Sequence, residues 1–597
     1  MSPALPTTQS PSYSNSSNGG PSRTSTITTK NSFAGDDTRC NSLKETTPPQ
    51  DETAVIDTEP ELAYTPGGRI RFWLVITAMM VSTLLCALDM TYMAGALPTI
   101  TGELRGGTDF VWAGAAMPLG STAFLPMSGS LAQVFGRRVV ILLSLGLFAS
   151  GSALCGFAVN LNTFITGRIV QGMGAGGITS LTEIIIADLV PLRKRGPYLS
   201  VHGATFAFAS MNGPIIGGAL AKTNWRWLFY INIPITGISM ALVILFLDLK
   251  VPGDNFASKM KRMDWTGNKI VMLSIIALVI ALSEGGINVP WTSYKTLVPL
   301  IFGIFGIAVF FLYEFKVAKE PMVPYELLNN RTSIMGYASA SLHGLVSTCA
   351  IYYYPVYIQG TGRNSPLGVT VYAMAFTVAP ATIVSGFIVL YFGKYRPVNV
   401  IGWAITLLGF GLSSVLRADS PKPTQMGFQE LLGIGLGILF AAPTYAIMAA
   451  LLKCLSANAL ALHMLVRNLS GILGIAVGSS ILHHELKKQL SERFLAEHGV
   501  QAAYSLIPAV RRLAEPMQSE SREALAAGLR TVWKLMFGVS VVGAFCACFM
   551  EEIDMSEETH TLWGLVKKKD IGRWRKQVDV ENKLPSDFVD NQANCRS

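Results

Sequence analysis

Asp89, in Leu88-Asp89-Met90-Thr91, stands well inside one apolar run, and Arg168 stands inside another. A charge at such depth in hydrocarbon costs several kcal/mol unless it faces a polar or wet interior. Burial favours the protonated acid and a neighbouring cation favours the carboxylate, so an acid balanced between them can take up and release a proton. The bland alternative is a structural, hydrogen-bonded acid. Arg168 is always charged, and its role is either to tune such an acid or to hold the helices by a static pair. Glu183 approaches the far end of the same run as Arg168. It reads most simply as a snorkelled or loop-paired acid, with proton coupling as the sharper alternative. His463 and Arg467 fall at i and i+4 of a later run, on one helical face. His463 could titrate, although a polar interfacial histidine is the plainer reading.

Glycine patterns accompany these charges. In Gly213-Pro214-Ile215-Ile216-Gly217-Gly218 the proline removes an amide donor from mid-helix and the glycines admit close backbone approach, a combination suited to a hinge. Gly129 and Gly136 stand seven apart and lead into Arg137-Arg138; Gly386 and Gly393 stand seven apart and lead into Lys394 and Arg396. One design used twice implies two related halves. Tyr352, Tyr353, Tyr354, Tyr357, Gln359 and Tyr372 suit either a cavity wall or an aromatic belt at the membrane interface, and the belt is the preferred reading.

The elements that must position these groups are membrane helices. Half of the 597 residues are apolar and only 14% are charged, against about a quarter in soluble domains. A hydrocarbon core about 30 Å thick needs roughly 20 apolar residues per helix and forbids unpaired lipid-facing backbone. That rule marks fourteen spans, near 72–97, 110–131, 139–159, 163–186, 198–220, 227–247, 268–283, 297–314, 333–354, 367–390, 398–416, 428–452, 459–482 and 531–550. The expected fold is all-α and integral to the membrane. Residues 67–250 and 331–550 are two six-helix halves, 251–330 carries two inserted helices, and 483–530 is an outer loop. Residues 1–66 and 551–597 are polar and read as cytosolic tails, the first disordered. With no apolar run ahead of residue 72, the first span must itself direct insertion. Basic residues such as Arg137-Arg138 and Arg193-Lys194-Arg195 gather on the expected cytosolic side, so the net charge of +9 reads as topogenic rather than as a nucleic-acid surface. The eight cysteines show no CxxC pair, hence neither a metal site nor a disulfide framework is expected. Glycine-rich stretches such as 172–177 lack the lysine of a phosphate loop, so neither ATP nor another cofactor is expected.

Across residues 70–550 the chain resembles the major facilitator superfamily and, within it, the fourteen-span drug:proton antiporters in their fungal form. Leu88 to Pro98 resembles that subfamily's first-helix signature, and Gly129 to Arg138 resembles the superfamily's gating loop. Arg168 with Gln171-Gly172-Met173-Gly174, Gly213 to Gly218, and Trp225 to Pro234 resemble the motifs of the fourth, fifth and sixth helices. One departure is Gln133, where the gating loop normally has an acid; a gate held more by hydrogen bonds and packing than by ions is expected. The resemblance implies a proton-coupled exporter of small amphiphilic organic molecules, not an enzyme, with Asp89 and Arg168 coupling protons and Glu183, His463 and Arg467 as further candidates. It implies a monomer in the plasma membrane, partnered by substrate, protons and lipid. Uptake or vacuolar carriage of siderophore-iron or basic amino acids is the alternative, and a transport-dead sensor of the same fold is a remote one.

Overall fold

The computed structural model describes residues 66–104, 110–247, 260–261, 263–285, 289–318, 321–361, 373–451, 455–490 and 515–555. Among them all regular structure is helical, apart from one bridge between Gly285 and Val289. The first half comprises α1 (Pro66–Glu103), α2 (Phe110–Phe135), α3 (Arg137–Gly156), α4 (Leu161–Leu189), α5 (Gly196–Thr223) and α6 (Trp227–Phe246). The inserted pair is α7 (Trp265–Glu284) and α8 (Tyr294–Lys316). The second half comprises α9 (Arg331–Thr361), α10 (Ala373–Phe392), α11 (Arg396–Ser413), α12 (Lys422–Ala449, broken near Phe440), α13 (Ser456–Gln489) and α14 (Met517–Cys548). Eleven of these have the length and apolarity of a membrane span. The other three, α2, α5 and α11, are rich in glycine and polar residues.

Helix is the form that satisfies every amide without water, and the chain supplies local stops as well. Asn160 caps α4 by accepting from Thr163 N at 2.8 Å, and Asp264 caps α7 by accepting from Gly267 N at 2.9 Å. On α8, Val298, Ile301, Phe302, Ile304 and Phe305 are all more than half exposed. An apolar face turned outward in this way matches lipid as its solvent.

Three apolar cores organise the bundle. One lies within the second half, around Tyr354, Trp403 and Trp533. A second lies within the first half, around Tyr92, Phe164, Trp225 and Phe229, at the end opposite Arg137 and Arg138. The third joins the halves at the basic-loop end, packing Ile184 of α4 and Leu199 of α5 with Tyr445 of α12 and Leu460 of α13. Here a Cβ on Gly129 would meet Ala461 at 2.7 Å, and one on Gly196 would meet the Gly386 carbonyl at 2.2 Å. The paired glycines thus serve equivalent roles: Gly129 lets α2 onto α13, and Gly386 lets α10 onto α5. The repeat extends to the backbone, because Gly136 (φ 88°) and Gly393 (φ 66°) are the positive-φ glycines among the described residues.

The structure changes several expectations. The outer loop proposed for 483–530 is shorter, since α13 continues to Gln489 and α14 begins at Met517; 491–514 lie outside the described residues. Leu482, Leu486 and Leu490 recur every four residues and pack with Leu525 and Leu529, a helical contact that outlasts the apolar run. The tyrosine belt is largely a core instead. Tyr353, Tyr354 and Tyr357 are no more than 1% exposed, and Tyr353 donates to Ile475 O while Tyr357 donates to Arg417 O. Tyr354 shares a hydrogen bond with Ser413, and only Tyr352 of the quartet stands exposed. The Gln359 side chain and Tyr372 lie outside the described residues, as does the Pro214 side chain.

Candidate functional site

Asp89 is fully buried and sits in a closed shell of donors. Arg168 of α4 donates through Nη1 to Oδ2, forming a buried ion pair. Oδ1 accepts from the Tyr92 hydroxyl, from Gln171 Nε2 at 2.8 Å and from Asn232 Nδ2 at 3.0 Å. The donors are themselves held: Gln171 Oε1 accepts from Arg168 Nη1 at 2.8 Å, and Gln171 Nε2 also donates to Ser152 Oγ at 2.8 Å. A carboxylate offers about four acceptor positions, and four donors occupy this one. Three of the four converge on Oδ1 and the arginine alone takes Oδ2.

Every member of the shell comes from the first half: α1, α3, α4 and α6. The sequence reading singled out Asp89 and Arg168 separately, and the structure places them in contact. It missed the roles of Tyr92, Ser152 and Asn232, although Gln171 and Asn232 stand in motifs already singled out. Asn232 was visible as an amide at the head of an apolar run.

Gly213 and Gly217 of the expected hinge abut this shell. A Cβ on Gly213 would lie 1.9 Å from Thr91 Oγ1, and one on Gly217 would lie 2.1 Å from the Tyr92 carbonyl oxygen. Thr91 Oγ1 also donates to Ala209 O of α5 at 3.1 Å. Gly218 differs, with nothing within 4 Å of its Cβ position, so its expected close approach does not occur. The helix runs on through Pro214.

In the gating loop Arg137 donates from Nε to Asp188 Oδ2 at 2.8 Å in a buried ion pair and from Nη1 to Ala132 O at 3.0 Å. Arg138 Nη2 donates to Ile244 O at 2.6 Å. The ion pair ties α3 to α4 inside one half, and Gly129 packs on Ala461 of the other half. Asp188 was missed in the sequence because it closes an otherwise apolar run.

Glu183 is not snorkelled. It is 3% exposed and lies between the halves, with Oε1 3.8 Å from His202 Nε2 and Oε2 3.7 Å from His463 Nδ1. Arg467 follows one turn after His463 and stacks its guanidinium 4.0 Å from the Phe440 ring centroid. His202 was not singled out in the sequence, though a histidine one turn and a half into an apolar helix is itself a signal.

The family model described as Major Facilitator Superfamily matches residues 79–475, about two thirds of the chain. The chain belongs to the major facilitator superfamily. As a member of that superfamily it is a multi-pass membrane transporter and not an enzyme. It is 35% identical over 517 residues to the MFS-type efflux pump LUC4 of Fusarium sp, covering 84% of this chain and 92% of that one. It is 32% identical over 542 residues to the efflux pump FUS6 of Gibberella fujikuroi, covering 88% and 97%. Among solved structures it resembles the proton:xylose symporter XylE, with a TM-score of 0.53 at 13% identity, covering 83% of this chain and 99% of that one. That likeness is one of superfamily fold.

Proposed function

We propose that the protein exports small amphiphilic organic molecules, either drugs and toxins or a dedicated secondary metabolite, across the plasma membrane in exchange for protons. The direction is supported by the relatives named as efflux pumps. Proton exchange is supported by one observation above all: a buried carboxylate paired to a buried arginine and ringed by further hydrogen-bond donors.

Protonating Asp89 would leave Arg168 with the Gln171 amide oxygen as its neutral acceptor. A buried cation stripped of its counter-charge costs several kcal/mol, so α1 and α4 must shift to re-solvate or re-pair it. Thr91 and Tyr92 lie against Gly213 and Gly217, so a shift of α1 is handed to α5. The far end of α5 meets α10 through Gly196, Ser200 and Gly386, which carries the movement to the second half. In this reading the loop Gly129–Arg138 and the Gly213–Gly218 segment transmit the change that Asp89 and Arg168 initiate. Substrate competes by favouring the opposite state.

The test compares cells lacking and overproducing the protein for retention of their own metabolites and of a panel of toxic organic compounds, with and without a protonophore. Export that rises with the protein and collapses with the proton gradient is expected. Export indifferent to the gradient refutes the exchange.

A further inference from the structure

Asp89 and Arg168 lie toward one end of α4; fifteen residues on, about 22 Å along the helix, Glu183 sits in the seam between the halves. Its carboxylate faces an imidazole on each side, His202 of its own half at 3.8 Å and His463 of the other half at 3.7 Å. All three side chains are no more than 4% exposed. Neither separation is short enough for a hydrogen bond. Glu183 Oε2, His202 Nδ1 and His463 Nδ1 are left without hydrogen-bond partners, while His463 Nε2 is 3.4 Å from Thr444 Oγ1.

Native interiors rarely leave three polar atoms unsatisfied in one cluster. A single proton on His463 Nδ1 would pair that atom with Glu183 Oε2, two of the three. On either imidazole it makes a cation beside the carboxylate, and the contact can shorten into a charge-assisted hydrogen bond. Imidazole is the side chain that gains that proton between about pH 5 and 8.

The surroundings supply few competitors. Arg467 is the other cation acting on Glu183 from α13, and its guanidinium is committed to the Phe440 face. From α12 come the hydroxyls of Thr444 and Tyr445, and from α9 comes His343, whose Nε2 pairs with Leu436 O at 3.1 Å. Arg195, ahead of α5, is spent on Val190 O at 2.7 Å and Ala187 O at 2.5 Å. Asp188 on α4 itself pairs with Arg137. From α1 and α2 the neighbouring turns of α4 meet the hydroxyls of Thr83 and Ser128.

We infer that Glu183, His202 and His463 form a second proton-binding site, separate from Asp89, which spans the two halves and whose protonation clamps α4 to α13. The inference extends the proton-exchange reading, but its test needs no substrate. The purified full-length chain is followed by hydrogen–deuterium exchange between about pH 5 and 8, corrected for intrinsic rate, in peptides covering 183–202 and 456–467. In the unsubstituted protein these peptides are expected to exchange at least about tenfold more slowly at the acidic end, the scale of one charge-assisted hydrogen bond. Glu183→Gln and His463→Gln should each flatten that step, and His202→Gln should reduce it. Peptides from α7 and α8, unchanged throughout, report that each variant is folded. A flat profile in the unsubstituted protein, or a step that survives Glu183→Gln, overturns the inference. Gradient-independent export with the Glu183-dependent step intact would instead refute proton exchange and leave this site standing.

Discussion

Replacing Gly196 with alanine tests whether the closed basic-loop end depends on backbone contact between α5 and α10. An alanine Cβ there would sit 2.2 Å from the Gly386 carbonyl oxygen, and backbone cannot swing aside as a side chain does. Reaching the 3.4 Å of ordinary contact requires the helices to part by about 1.2 Å. Overpacking of this kind costs about 1–3 kcal/mol. The better helix propensity of alanine returns up to about 1 kcal/mol, less at a first helical position than in an interior. Most of the cost falls on the closed state alone, because the clash vanishes when the ends separate. The closed-to-open ratio should therefore drop by roughly 5- to 150-fold. Nitroxides on the exposed Lys194 and Lys394, in a cysteine-free background, read the separation of these ends by double electron–electron resonance. Gly196→Ala should move the distribution to longer distances, and Gly218→Ala, whose Cβ meets nothing within 4 Å, should not. A Gly196→Ala distribution that superimposes on the unsubstituted one refutes the argument.

Asp89→Asn should abolish gradient-driven export and lower the melting temperature, because Arg168 loses its counter-charge at a cost of about 3–5 kcal/mol; adding Arg168→Gln should recover stability without recovering export. Undiminished export by Asp89→Asn would remove this acid from the mechanism. Arg137→Gln should destabilise, by up to about 3–5 kcal/mol, by removing a buried ion-pair partner of Asp188. Pairing it with Asp188→Asn should restore part of that loss in thermal melts, and full additivity of the two single effects would show the ion pair to be energetically inert.

How much of this was legible beforehand depended on whether the signal was local. Membrane helices announce themselves because hydrocarbon demands long apolar runs, and the seven-residue glycine spacing betrayed the two halves because each pair joins a glycine packed on the opposite half, Gly129 or Gly386, to one of positive φ, Gly136 or Gly393. The partnership of Asp89 with Arg168 could be suspected, since two charges in hydrocarbon seek each other. What no single run carries is the register between helices. Tyr353, Tyr354 and Tyr357 look alike whether they face headgroups or a core, and only the packing of α9 on α11 and α14 decides. Glu183 was misread as a snorkelled acid for the same reason: its distance from the helix end was visible, but the two imidazoles that hold it inward come from α5 and α13. The outer-loop boundary failed on a related point, because leucines spaced by four extend α13 and α14 against each other after the apolar run has ended.

The two acids occupy different mechanical positions, and this limits what each can do. Asp89 touches only its own half, so its charge state reaches the second half through the sliding contact of α1 on α5 and of α5 on α10. Direct electrostatics cannot replace that route, since two charges about 22 Å apart interact by less than about 1 kcal/mol at an effective dielectric of about 20. Glu183 touches both halves and needs no intermediary, yet it lies at the end where the bundle is already shut. On the proposed exchange, one acid is placed to supply the drive and the other to set how firmly a gate holds. Glu183 and Arg168, the partner of Asp89, are both borne by α4, whose glycines let it sit within backbone contact of α2 and α3; a Cβ on Gly172 would lie 2.2 Å from Met117 O, and one on Gly174 2.4 Å from Phe148 N. Close approach of this kind leaves α4 little room to move independently of α2 and α3.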